Sequence, residues 1–277
     1  SLAAALASAA ALFLVRGRSA PIAWMLAGAL FLVRPLLSNA AFVKPDMLAT
    51  CASVLAVIAA ERARDSRRWL APCALLCVAA FATKQSFVAA SAASLAFVAL
   101  NDRRRGLELA AYLALGFGAF LAYAALAWGG GFWFCVFRAP QNPLQWSEFA
   151  THWGKMLPQP VAMLLLAAGI AALGVGWARM RLALLSSSPY PLYVLASAGV
   201  LLLMLPKVGA ATNYFIEWLF ASCLLLAHGL CAPDLARRGA LRAAALCLPF
   251  VAAALAEVAL ASEAQYAFTS YAGSPES

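Results

Sequence analysis

Few residues in this 277-residue chain can do chemistry, and most of them stand at the ends of long apolar runs. Asp46 follows Pro45 and opens one such run. Proline suits the first turn of a helix and aspartate its N-terminal end, so a helix cap accounts for Asp46 on its own. The same carboxylate at the mouth of a helix bundle can also ligate a divalent cation or take the proton of a hydroxyl. Lys84 sits in the polar break Thr83-Lys84-Gln85-Ser86, with no other charge near it in sequence. A lysine so placed either snorkels to water or meets an anion, and phosphate is its natural partner. Farther on, Lys207 closes one apolar run and Asn213-Tyr214-Phe215-Ile216-Glu217 opens the next. Asn213 can cap that helix, and Tyr214 can stack on a flat ligand or lie at an interface. Glu217, one turn into the run, needs a partner; Lys207 is the nearest basic residue. A structural Lys207–Glu217 pair and a polar substrate pocket account for it equally well.

The remaining candidates are weaker. His152 falls on what looks like the wet face of a surface helix, where a histidine is more often passive than a proton carrier. His228 reads as packing near a span end. Cys73 and Cys77 share a helix face, but no histidine or acidic residue completes a zinc set, so they read as small apolar filler. Gly129-Gly130-Gly131 has no preceding strand and no following Lys-Ser/Thr, which makes it a flexible break after a span rather than a phosphate loop. No Ser-His-Asp order and no dinucleotide fingerprint is present.

These residues have to be positioned by elements that live in hydrocarbon. The chain is 65% hydrophobic and 11% charged, against roughly 45–50% and about 25% for a soluble domain. A bilayer solvates such a chain because helices satisfy their own backbone polar groups. The expectation is an all-α polytopic membrane bundle of about nine to ten transmembrane helices forming a single domain over 1–277. Candidate spans fall near 1–15, 21–38, 46–60, 69–83, 86–100, 107–127, 158–178, 190–206, 213–231 and 240–258. A polar tail at 259–277 is expected to leave the membrane on the outer side. The first run, Ser1–Val15, lacks the basic start and cleavage site of a signal peptide and reads as the remnant of a span.

The basic residues sort by loop. One side collects Arg16, Arg18, Arg62, Arg64, Arg67, Arg68, Arg103, Arg104, Arg105, Arg179, Arg181, Arg237, Arg238 and Arg242. The other receives only Arg34, Lys44, Lys84, Arg138, Lys155 and Lys207. This alternation requires 69–83 and 86–100 to be two separate passes joined by a tight hairpin, and it makes the arginine-rich side cytoplasmic. The net charge of +9 is then a topology signal, not a nucleic-acid footprint. Every lysine lies on the outer side. Snorkelling explains that pattern; so does an outer surface that handles phosphate. In the longest outer loop, Trp146, Phe149, Ala150, Trp153 and Leu157 recur at helical spacing, with Ser147, Glu148, Thr151, His152 and Lys155 opposite. This predicts an amphipathic helix lying in the outer membrane surface.

Three pieces, in order, carry a family resemblance: Lys44-Pro45-Asp46 before an apolar span and a basic turn, the hairpin tip Thr83-Lys84-Gln85, and Gly209 followed by Asn213-Tyr214-Phe215-Ile216-Glu217. Over about residues 40–220 the chain resembles the bacterial branch of the GT-C-type glycosyltransferases, relatives of the protein O-mannosyltransferases and lipid A aminoarabinose transferases. The resemblance implies a sugar donor on a polyprenyl phosphate. It further implies a cell-envelope glycan, lipid or protein acceptor, transfer at the outer face of a bacterial inner membrane, and no nucleic acid. It makes Asp46 the catalytic carboxylate of this chain, matching the family's second acidic position, with a divalent cation as an optional ligand there. Lys84 looks like the lysine that meets the lipid phosphate, and Lys44, Gln85, Lys207, Asn213, Tyr214 and Glu217 fall to substrate binding. The family's first outer loop, with its aspartate, is expected upstream of Ser1.

The chief alternative is a multi-span transporter or lipid flippase. No internal repeat of the transporter kind is visible, and the polar residues gather at outer loops instead of mid-bilayer. A noncatalytic scaffold would leave Asp46 and the outer lysines without a shared purpose.

Overall fold

The computed structural model describes residues 2–15, 20–33, 45–134, 138, 141–180, 185, 187–208, 212–229 and 252–253. Lys44, Cys135, Cys231, Cys247 and the expected tail at 259–277 lie outside the described residues, as does the 240–258 span apart from 252–253. The helices are α1 (Leu2–Ala10), α2 (Ala20–Leu32), α3 (Pro45–Ala63), α4 (Leu70–Thr83), α5 (Ala89–Asn101), α6 (Arg103–Trp133), α7 (Trp146–Met156), α8 (Pro160–Met180), α9 (Tyr190–Met204) and α10 (Tyr214–Gly229). Short 3-10 turns at Ala11–Leu14 and Arg67–Trp69 complete the order, and no strand occurs among the described residues. The expected all-α architecture is therefore observed.

Helix α3 is the axis of the bundle. It begins with Pro45 and Asp46 and ends with Arg62 in its last turn, charges that suit the two ends of the helix dipole. Its run of alanine, serine, cysteine and valine lets α1, α4, α5 and α10 all pack against it. Met47, Val54, Val57 and Ala60 have no exposed surface. Close approach recurs elsewhere. A Cβ on Gly169 of α8 would stand 2.8 Å from the Ser222 Cβ of α10, so only glycine fits there.

Helix α6 is different. Asp102 caps it, accepting hydrogen bonds from the backbone N–H groups of Arg104 and Arg105 at 2.9 and 3.2 Å. It then runs 31 residues, about 46 Å at 1.5 Å per residue, with a kink at Gly129, whose φ is +53°. Its backbone there is non-helical (ψ −137°), so the run is broken at Gly129, where the sequence placed a glycine break. Between Glu108 and Trp133 no charge interrupts it, yet Leu115 and Leu126 are 71% and 88% exposed. A continuous bare apolar face of this length needs a cover other than water.

Of the described helices, only Arg103–Trp133 is long and apolar enough by itself to cross a membrane; Trp146–Met156 and Pro160–Ala171, bent by 108°, pass together as a second. On length and composition alone, one or two of the described helices qualify, which does not establish the expected nine to ten spans. The physical reason is local: α4 and α5 stop after 14 and 13 residues, about 20 Å of rise against a hydrocarbon core of about 30 Å.

The chain does reverse at Lys84, as the expected hairpin requires. Lys84 leaves α4 in an extended conformation and Val88 precedes α5. Contacts then sort into two ends. At one end Asp46, Lys84 and Asn213 meet. The loop at 142–145 also joins the turn at 206–208 there: Gln145 N–H donates to the Pro206 carbonyl (2.7 Å), Val208 N–H to that of Pro143 (3.1 Å), and the Asn142 amide to that of Val208 (2.7 Å). At the other end Arg67 pairs with Glu108, Arg64 donates to the Ser187 carbonyl (2.8 Å), and Arg105 donates to that of Ala63 (2.9 Å). Among the described residues, the arginines at 64, 67 and 105 thus gather at one end and Lys84 and Lys207 at the other; Arg16, Arg18, Arg34, Arg181, Arg237, Arg238 and Arg242 lie outside the described residues.

Candidate functional site

The site is built where three helices begin or end. Asp46 lies in the first turn of α3, and its contacts reach across the bundle instead of capping its own helix. Its Oδ1 accepts from the Lys84 ammonium and, at 2.8 Å, from the Asn213 side-chain amide. Asp46 is 2% exposed, so these two donors replace water around a buried carboxylate. The residues are 38 and 167 positions apart from Asp46 in the chain.

Lys84 comes from the turn after α4, where its backbone N–H still bonds the Ala80 carbonyl at 3.0 Å. Its ammonium stands 4.8 Å from the centre of the Tyr214 ring and 5.8 Å from that of Phe87, within cation–π range. Asn213 and Tyr214 enter from the start of α10. The Asn213 Nδ2 group is fixed on Asp46, which leaves its Oδ1 buried without a hydrogen-bond partner. Among the described residues the Asp46 contacts fall on Oδ1 and none on Oδ2. Two acceptor oxygens, Asn213 Oδ1 and Asp46 Oδ2, therefore stand beside one ammonium. The two oxygens can accept from hydroxyl groups, and the ammonium is the group that can meet an anion.

Glu217 sits one turn deeper on α10 and is 5% exposed. The sequence offered Lys207 as its partner; the structure instead gives it the Tyr193 hydroxyl of α9, which donates to Oε1 at 3.1 Å. Lys207 is bound up in the pairing with Leu144, and no contact joins it to Asp46, Lys84 or Glu217 among the described residues. Gln85 is exposed at the hairpin tip. Asp46, Lys84, Asn213 and Tyr214 are thus brought together, Glu217 lies behind them, and Lys207 and Gln85 stay apart.

The surface helix expected at 146–157 is present as α7, but its orientation corrects the sequence reading. His152, assigned to the wet face, is 4% exposed with Glu148 at 3.6 Å, while Trp146 is 76% exposed. Trp153 explains the docking: its ring meets Phe215 at 5.0 Å and Trp218 at 6.2 Å, both on α10. Sequence reasoning also missed a buried cluster at the arginine end. Glu61 is 2% exposed and accepts from the Tyr190 hydroxyl at 2.9 Å, with His228 Nδ1 at 4.0 Å. Its one sequence signal was a carboxylate inside an otherwise apolar stretch of α3. Cys73 and Cys77 are buried free thiols, in line with their reading as filler.

For the optional divalent cation at Asp46 this cluster supplies one carboxylate and one amide oxygen, which leaves waters and a substrate phosphate to complete a magnesium shell. No group of three or more metal-ligating side chains occurs among the described residues. A cleft of ≈ 240 Å³ lined by Arg67, Asp102, Arg104, Arg105 and Glu108 opens at the opposite end.

Comparison with family models, curated proteins and solved structures gave no match to this chain.

Proposed function

We propose that this chain is the core of a multi-span membrane glycosyltransferase, moving a sugar from a polyprenyl-phosphate donor to an acceptor hydroxyl on the non-cytoplasmic face. In this reading the short apolar helices are broken spans, or spans that the bilayer thins to meet, in a nine- to ten-helix bundle of a bacterial inner membrane. The supporting observation is the convergence of Asp46, Lys84, Asn213 and Tyr214 from three separate parts of the chain, at the end opposite the arginines. A substrate that is both a phosphate and a polyol asks for an ammonium and unfilled acceptors side by side, and this cluster offers both.

The reaction then needs little machinery. The sugar's anomeric carbon–oxygen bond breaks, and the electron pair leaves with the lipid phosphate. Lys84 offsets the charge that develops there. The acceptor oxygen forms the new bond to the anomeric carbon, and Asp46 takes its proton as general base and later releases it to water. Asn213 fixes the Asp46 carboxylate and receives a substrate hydroxyl on Oδ1. Tyr214 carries Lys84 over its ring. No nucleotide is bound, in keeping with a chain that lacks any nucleotide fingerprint.

The test is transfer itself, with the chain in its full-length protein, in membrane vesicles supplied with polyprenyl-phosphate hexoses, read as release of free polyprenyl phosphate. Asp46→Asn and Lys84→Ala are each expected to reduce release by a factor on the order of 10² or more, with membrane insertion intact. Release at the wild-type rate in both variants would remove the assigned roles.

A further inference from the structure

The ammonium and the carboxylate required by this chemistry are spent on each other. Asp46 Oδ1 holds the Lys84 ammonium and the Asn213 amide. An anion that needs Lys84 must compete with Asp46, and a hydroxyl that needs Asp46 as base must compete with Lys84. One movement satisfies both demands: Lys84 leaving Asp46. We propose that the Asp46–Lys84 pair is a substrate-operated latch, in which a lipid phosphate draws the ammonium off Asp46 and thereby frees the carboxylate for the acceptor hydroxyl. The lipid nature of the phosphate rests on the glycosyltransferase reading above; the latch rests on the pair.

The two partners are built unequally, as a latch requires. The Asp46 side chain is 4% exposed and fixed in the first turn of the central helix, while that of Lys84 is 18% exposed and belongs to the turn between α4 and α5. An ammonium on a flexible four-carbon stem can swing without moving a helix. When it swings, Asp46 is not stranded, because Asn213 still donates to Oδ1 at 2.8 Å. Lys84 is not lost from the site either. The Tyr214 ring at 4.8 Å and the Phe87 ring at 5.8 Å stand beside it. A latch also separates binding from chemistry: before the donor phosphate arrives, the ammonium on Oδ1 offsets the charge of the base, and an acceptor hydroxyl or water meets only an ion-paired carboxylate.

A purely positioning role gives the opposite sign in one experiment. If Asp46 merely holds Lys84 ready for phosphate, Asp46→Asn weakens phosphate binding. If Asp46 competes for Lys84, Asp46→Asn strengthens it, on the order of tenfold for the loss of one charge-assisted contact. The probe is farnesyl phosphate, titrated against the full chain in phosphatidylcholine nanodiscs, with farnesol and inorganic phosphate as parallel arms. We expect Asp46→Asn to bind farnesyl phosphate about tenfold tighter, Asp46→Glu to show no gain, Lys84→Ala to lose binding, and farnesol to respond to none of them. Unchanged or weaker binding by a folded Asp46→Asn would overturn the latch. Farnesyl phosphate binding that ignores Lys84→Ala would instead overturn the phosphate role of Lys84. An inorganic phosphate arm as strong as the lipid arm would overturn the lipid source. Should Asp46→Asn not fold, the wild-type chain answers through ¹⁵N-lysine NMR, assigned by Lys→Arg changes at its few lysines. The Lys84 Nζ signal must shift on farnesyl phosphate binding, and a static signal in the bound state overturns the latch.

Discussion

Replacing Lys84 by methionine keeps most of the side chain's volume over the Tyr214 ring and removes only the charge. The Asp46 carboxylate, 4% exposed, is then left with a single donor, Asn213. Removing one partner of a buried ion pair costs about 3–5 kcal/mol. The surviving Asn213 hydrogen bond places this case at the lower end, about 3 kcal/mol. For a chain of this size that lowers Tm by roughly 6–12 °C, at about 2–4 °C per kcal/mol. Asp46→Asn in the same background removes the stranded charge, so the double variant recovers part of the loss. At an effective dielectric near 20, two unit charges about 4 Å apart attract by about 4 kcal/mol, and desolvation takes back part of this. A coupling of about 2 kcal/mol remains as the expected double-mutant-cycle result. Reversible unfolding in detergent, followed by tryptophan fluorescence, reads it. A Lys84→Met variant within about 1 °C of wild type, or strict additivity of the two changes, would refute the description of Asp46 as a buried charge held by Lys84.

Two further outcomes follow from the packing. Tyr193→Phe removes the hydroxyl that donates to Glu217 at 3.1 Å and should cost about 1–3 kcal/mol, whereas Tyr112→Phe on the exposed side of α6 should leave the same unfolding transition in place. Gly169→Val drives a side chain into Ser222 and should destabilise by about 1–3 kcal/mol; adding Ser222→Gly should recover much of that loss, and failure to recover would show that α8 and α10 do not meet there.

The sequence made the polar residues easy to find because an apolar chain leaves few of them. Asp46, Lys84, Asn213 and Tyr214 were visible as punctuation at the ends of apolar runs, and those positions brought them to one end of the bundle. What sequence could not supply was partner choice. Lys207 is nearer to Glu217 along the chain than Tyr193 is, yet the turn at 206–208 ties Lys207's backbone to Leu144, and the tyrosine one helix away takes the carboxylate. His152 misled for a related reason. Helical spacing defines two faces of α7 but not which one docks, and the aromatic contacts of Trp153 with Phe215 and Trp218 turn it so that His152 is buried. Glu61 does not stand out in sequence beside the arginines that follow it, although its position inside α3 sends it to Tyr190. Span number was the weakest inference. Summed hydropathy measures how apolar a segment is, and the helices actually formed stop at Thr83 and Asn101, where polar residues offer the backbone another ending.

The account stands on the Lys84 turn and the Arg104 turn lying on opposite faces of a membrane, with the Lys84 turn outside. Single cysteines at Gln85 and Arg104, placed in the chain with its native cysteines replaced and expressed in intact bacterial cells, test this through a membrane-impermeant maleimide. Gln85→Cys should label in intact cells, and Arg104→Cys only after the membrane is opened. Equal labelling of both from the same side would contradict the two-ended bundle and with it the site.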